Sequence, residues 1–222
     1  MNFATVPGVP GSYDQYCPIA RGLDVIGDRW TLLVLRELSL GSQRFTDLRR
    51  HLPGIPPNVL SQRLKRLTDD GMVALEELPP PAARSVYTLT PRGREVQPVL
   101  RALVRFGTPE LAPASPDRAP RADTVAPLVF LSWFDEGEAA RVDVDEHYDV
   151  VVDGLVQHLS SRRAAARRRV EDAAAVTVAG PAWAFTRLRQ GRTLDELATD
   201  GSLQVTGSQA ARTRFRRLYA LT

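Results

Sequence analysis

A chain of 222 residues, 43% hydrophobic and 25% charged, has the balance of a globular protein with a real core and exceeds one typical domain. No apolar run approaches the roughly 18–20 residues that span a bilayer, and the start MNFATVPGVPGSYDQY lacks the basic and apolar stretches of a secretory signal, so a cytoplasmic protein without membrane insertion is expected. The single cysteine, Cys17, excludes an internal disulfide and a four-cysteine zinc site, and the net charge of +3 is uneven: fourteen basic against ten acidic residues through Gly107, fifteen against sixteen beyond it.

Residues 1–16 read as a flexible N-terminal segment. From Cys17, the apolar residues Ile19, Ala20, Leu23 and Ile26 recur at helical spacing until Gly27 breaks the pattern. Asp28 is placed to cap a second helix, DRWTLLVLREL, with Trp30, Leu33, Val34 and Leu38 near one face. After the loop LSLGSQR, Thr46 is a good N-cap for TDLRRHL, and the turn at Pro53–Pro56 ends that helix. A longer helix is predicted from Pro57 to Asp70, closed by Gly71. MVALEEL and RSVYTLT then read as two strands of a hairpin with a Pro-rich tip. Thr90-Pro91 opens a further helix to about Phe106, which Pro98 is expected to bend.

Residues 108–123 hold four prolines and almost no large apolar side chains, the composition of a linker between domains. Beyond it, TVAPLVFLSWF is predicted helical, and VDVDEHYDVVVDGLVQHLSSR alternates like paired strands turning at Asp153-Gly154. DAAAVTVAG and SLQVTG are further strands. PAWAFTRLRQG and TLDELATDG are short helices stopped by Gly191 and Gly201, and Ser208 caps a closing helix. The fold class is therefore α+β: a winged helix-turn-helix over 17–107, then a smaller α+β domain over 124–222 with a curved, mostly antiparallel sheet and packed helices.

Helix, sharp turn, helix and β-hairpin in that order form a winged helix-turn-helix, whose second helix must pack one face on the domain and offer the other to a major groove about 12 Å wide. At 3.6 residues per turn Leu60, Leu64 and Leu67 share one face, and Asn58, Gln62 and Lys65 lie opposite, flanked by Ser61 and Arg66. Such side chains bond base edges and phosphates. Arg44, Thr46 and Arg49 around the preceding helix, and Arg84 near the wing tip, complete the expected DNA-binding set.

The runs CPIARGLDVIGDRWTLLVLREL, RFTDLRRHLPGI, NVLSQRLKRLTDDGMV and YTLTPRGREVQPVL resemble the HxlR-type winged-helix regulators in register across residues 17–107. The resemblance implies a transcription regulator that binds operator DNA as a homodimer through helices near the two ends of this domain. It makes helix 57–70 the recognition helix and 79–84 the wing. Pro56 departs from the family's usual capping residue. Cys17-Pro18 also matches the family motif; a thiol at a helix start can be reactive, or simply a small side chain at the dimer contact.

Residues 124–222 resemble, more loosely, sterol-carrier-protein-like domains, mostly through RTLDELATDGSLQVTGSQAARTRFRRLY. That resemblance implies a small apolar or lipid-like effector in a cavity lined by Trp133, Phe134, Trp183, Phe185, Leu188 and Phe215, for which ordinary core packing is the alternative. The arginines at 162, 163, 167, 168 and 169 suit a solvated turn and strand edge better than a phosphate site. His51, His147 and His158 have no zinc-binding spacing, and no GxSxG, P-loop or GxGxxG run occurs, so no enzyme, cofactor or metal is expected. Two alternatives to a ligand-responsive regulator remain: a redox switch through Cys17, and a lipid carrier using its winged helix for protein contacts.

Overall fold

The computed structural model describes residues 12–78, 84–162, 166–167 and 173–221. The chain divides into two compact units, Met1–Leu100 and Arg101–Thr222.

In the first unit α1 (Pro18–Ile26) starts on Pro18, whose missing N–H costs nothing in a first helical turn, and ends at Gly27, where a Cβ would lie 2.6 Å from the Leu23 carbonyl oxygen. Asp28 does not cap α2 (Thr31–Ser39), as the sequence suggested. The capping position is Trp30, in the left-handed region at φ 79°, and the Asp28 carboxylate is engaged by arginines instead. A bulky side chain in that conformation costs about 1–3 kcal/mol and persists only where its surroundings enforce it.

Helix α3 (Phe45–His51) begins two residues earlier than expected, with Arg44 at the capping position and Thr46 inside the first turn without a cap bond. Helix α4 (Pro57–Asp69) buries Leu60, Leu64 and Leu67 to 0–1% exposure against Val34, Leu35, Leu38 and Leu48, each leucine contributing about 1.5–3 kcal/mol. Strands β1 (Val73–Leu78) and β2 (Arg84–Leu89) pair antiparallel, Val73 opposite Leu89. Gln43, in the loop after α2, exchanges both backbone bonds with Tyr87 and so adds a third, one-residue rung.

The helix expected from Thr90 to Phe106 is two helices, α5 (Pro91–Arg94) and α6 (Gln97–Gly107), with Pro98 in the first turn of the second, where it is tolerated. Thr90 does cap α5, its hydroxyl accepting from Gly93 N at 3.0 Å. Only glycine fits at 93, because a Cβ would meet the Met72 carbonyl oxygen at 2.0 Å.

The second unit also holds the Pro-rich stretch: Gln190 accepts from Ala114 N at 2.8 Å and donates to the Ala112 carbonyl at 2.9 Å. Where one helix was expected over TVAPLVFLSWF, the chain makes successive short turns of 3-10 and π type across Ala122–Trp133. Helix α7 (Glu136–Arg141), capped by Asp135, was not foreseen.

Five strands follow: β3 (His147–Val152), β4 (Leu155–Ser160), β5 (Ala166–Arg167), β6 (Val176–Gly180) and β7 (Gln204–Gly207). They are ordered β5-β4-β3-β6-β7, parallel only between β3 and β6. The hairpin turns at Asp153 (φ 48°) and Gly154 (φ 84°), the pair of positive angles a tight two-residue turn demands. Tyr148, Val150 and Val152 point to one face and are buried. They pack with α8 (Ala182–Arg187), α9 (Leu194–Thr199) and α10 (Gln209–Leu218) in one core. Of the arginine run, Arg162 is exposed and donates to the Val142 carbonyl at 3.0 Å; side chains 163–170 lie outside the described residues.

Candidate nucleic-acid interface

Helix α4 divides its faces as the leucine spacing requires. With Leu60, Leu64 and Leu67 inward, Asn58, Ser61, Gln62 and Lys65 all stand exposed on the other side. Lys65 Nζ reaches Asp69 Oδ2 at 2.6 Å, but both side chains are mostly in solvent. A pair of that kind is worth about 0.3–0.5 kcal/mol, so it yields readily to a phosphate or a base edge.

Arg66 behaves differently from its expected role. It donates to Asp28 Oδ2 at 3.0 Å and to the Asp24 carbonyl at 2.6 Å, and its Nε lies 4.0 Å from Asp70 Oδ2. Its neighbour Arg63, absent from the expected set, bonds the same Asp28 oxygen. The partners stand 35 and 38 residues upstream, so no local sequence signal links them. Both arginines occupy the flank of α4 between its buried and exposed faces.

The other expected contacts sit on separate elements. Thr46 and Arg49 are exposed on α3 and Arg44 is half-buried at its start. Arg50 pairs with Asp47 at 3.3 Å. Inside the unit, the buried Glu37 carboxylate takes Arg36 at 2.6 Å and stands 3.4 Å from His51 Nδ1. Arg84 is exposed at the first position of β2; the tip at 79–83 lies outside the described residues.

Cys17 is half-buried at the start of α1, a free thiol beside exposed Tyr16 and Ile19. Part of the segment expected to be flexible is pinned to the same helix: Ser12 Oγ and Tyr13 N donate to the Asp24 carboxylate at 2.8 and 2.9 Å. The Tyr13 backbone and Ser12 hydroxyl hold that carboxyl below its ordinary range. Helix α1 exposes Ile19 (73%) and Leu23, and α6 exposes Val99, Leu103 and Phe106 (80%).

In the second unit Phe134, Phe185, Leu188 and Phe215 are buried in the core, Trp183 packs against its edge, and Trp133 is half-buried. Phe215 lies 5.0–5.6 Å from the rings of Tyr148, Tyr219 and Phe130. Arg189 lies over Trp133 at 4.6 Å and donates to the Val129 and Ala220 carbonyls; burial, with Arg105 nearby, lowers it to about 9. A cleft of about 310 Å³ opens elsewhere, lined by Val151, Asp153, Ala179, Pro181, Ser202 and Gln204 among others. No group of three or more metal-ligating side chains occurs among the described residues, nor is any described helix long and apolar enough to cross a membrane.

A family model described as HxlR-like helix-turn-helix matches residues 25–115. Among curated proteins, an HTH-type transcriptional regulator of Synechocystis is 40% identical over 92 residues, which are 41% of this chain and 68% of the relative. The HTH-type transcriptional regulator YvaP of Bacillus subtilis is 33% identical over 101 residues, 45% of this chain and 94% of its own. A solved MarR-family regulator from Porphyromonas gingivalis W83 is 30% identical with a TM-score of 0.41, covering 44% of this chain and 95% of that one.

Proposed function

Because the chain belongs to the HxlR-like helix-turn-helix family of transcription regulators, we propose that it binds operator DNA as a homodimer and reads base edges with the exposed face of α4. The observation that carries this reading is the division of that helix: three leucines sealed into the core while Asn58, Ser61, Gln62 and Lys65 face outward. Asn and Gln match adenine in two-point contacts, and Lys matches guanine or phosphate. Arg49, Thr46, Arg44 and Arg84 would hold the backbone and set the register without specifying sequence.

The exposed apolar side chains of α1 and α6 support the homodimer, since they are costly to leave in water. The second unit serves as the sensor of a small effector, which shifts the dimer between arrangements that do and do not match the half-site spacing. Its solid ring cluster disfavours an effector among Phe185 and Phe215 and favours the open cleft near Val151 and Gln204.

The test is Gln62→Ala combined with Lys65→Ala, measured at fixed salt on a duplex that the wild-type protein selects from a random library. Two lost contacts should weaken binding by about 2–5 kcal/mol and relax specificity at the positions they read. Unchanged affinity would show that another face of the domain does the reading.

A further inference from the structure

We propose that Asp28, Arg63 and Arg66 form a lock that sets the angle of the reading helix against α1, so that Arg66 tunes half-site recognition without touching DNA. The inference rests on the DNA-binding reading above and adds a positioning device to it.

Asp28 lies in the short connection between α1 and α2, and one of its oxygens accepts from both Arg63 and Arg66 of α4. Arg66 uses its remaining terminal nitrogen on the Asp24 carbonyl, in the last turn of α1. Two arginines three residues apart thus grip the junction from the same flank of one helix. Neither is fully in solvent: their side chains are 18% and 36% exposed.

The charges are spent within the fold. Asp28 faces both guanidinium groups and Asp70 stands beside Arg66, so little net positive charge is left there to attract a phosphate. Backbone geometry at the junction points the same way. Two residues after Asp28, Trp30 is held in the left-handed region, with its indole over the turn at Gly54 that opens α4. Strain of that kind is retained where surroundings fix one arrangement. Because α1 bears exposed apolar side chains on its outside, a change in how it is covered reaches α4 through this lock and would alter the spacing between two recognition helices.

The experiment compares wild type, Asp28→Ala, Arg66→Ala, the double variant and Asp28→Glu. Binding is titrated over a salt series on the library-selected duplex and on duplexes whose half-sites are one base pair closer or farther apart. A lock predicts that either single variant loses about tenfold on the selected spacing, that the double loses no more than either, and that Asp28→Glu recovers most of the affinity. It also predicts a flattened preference among the three spacings and an unchanged salt slope. A purely structural role would lower the thermal midpoint while leaving the spacing preference intact, which would overturn the proposal.

A direct phosphate contact by Arg66 would overturn it too. In that case Arg66→Ala reduces the salt slope by about one, and Asp28→Ala tightens binding by freeing the arginine. Failure of the wild-type protein to select any duplex would instead remove the DNA-binding reading itself.

Discussion

The first unit closes its core with leucine, isoleucine and valine and leaves large apolar side chains on the outside of α1. The second gathers Phe130, Tyr148, Phe185, Phe215 and Tyr219 into one buried ring cluster. Helix α6, which carries the chain from one unit into the other, again shows Val99, Leu103 and Phe106 to solvent. The arginines divide in the same sense. In the first unit they clamp α4 to the α1–α2 junction; in the second, Arg189 and Arg214 hold the C-terminal helix and the residues after it to their surroundings. The first unit leaves apolar side chains of α1 in solvent, whereas the second encloses its aromatic rings in one core.

The most severe way to break that contrast is Phe215→Ala. Removing a fully buried ring that touches three others should cost about 3–5 kcal/mol, read as a lower melting transition for the second unit by Trp133 and Trp183 fluorescence. DNA binding below that transition should persist. Equal destabilisation of both units, followed separately by hydrogen exchange, would show that they fold as one.

Phe106→Glu addresses the exposed apolar face of α6. At 80% exposure in the single chain the substitution is tolerated by the monomer, but a charge buried without a partner in a dimer costs about 3 kcal/mol, on the order of a hundredfold in association. Sedimentation equilibrium should show a monomer, and operator affinity should fall with it. A dimer that survives both Phe106→Glu and Ile19→Glu would mean that neither helix face is covered in solution.

The same contrast explains what could be read in the sequence. Helix α4 was legible because Leu60, Leu64 and Leu67 alternate with polar residues at helical spacing, and the Asp153-Gly154 hairpin because that dipeptide supplies two positive φ angles. The exposed polar face of α4 followed directly from the first pattern. The partners of Arg66 could not be read because on a helical wheel it borders the polar face, and Asp28 and Asp24 are distant in the chain. Asp28 itself looked like a cap because aspartate before an apolar helix usually is one; the left-handed Trp30 displaces it from that position. The turns across Ala122–Trp133 defeated a helical expectation. There Ser132 Oγ donates to the Pro127 carbonyl at 2.6 Å, within a run of 3-10 and π turns. Partners distant in the chain, not local spacing, decided the roles of Asp28 and Arg66.

The smallest effect separates the units by acid sensitivity. Burial alone would raise the Glu146 carboxyl, but Arg214 grips both its oxygens at 2.8 Å and Tyr148 donates at 2.7 Å, and together they hold it below the ordinary carboxylate range. With the folded value below the unfolded one, the group stabilises the fold in full above the unfolded value of about 4.3. That contribution disappears as pH falls through the lower folded value. Since the pair is partly in solvent, the effect is on the order of 0.5 kcal/mol. The second unit's melting transition should therefore decline between about pH 5 and pH 3, and Glu146→Gln should lower it at neutral pH while shallowing that decline. In the first unit Asp24 is depressed in the same direction by Ser12 and Tyr13, so Asp24→Asn should shallow the acid response there and leave the second unit's unchanged. If either substitution moved both transitions, charge in one unit would be acting on the stability of the other.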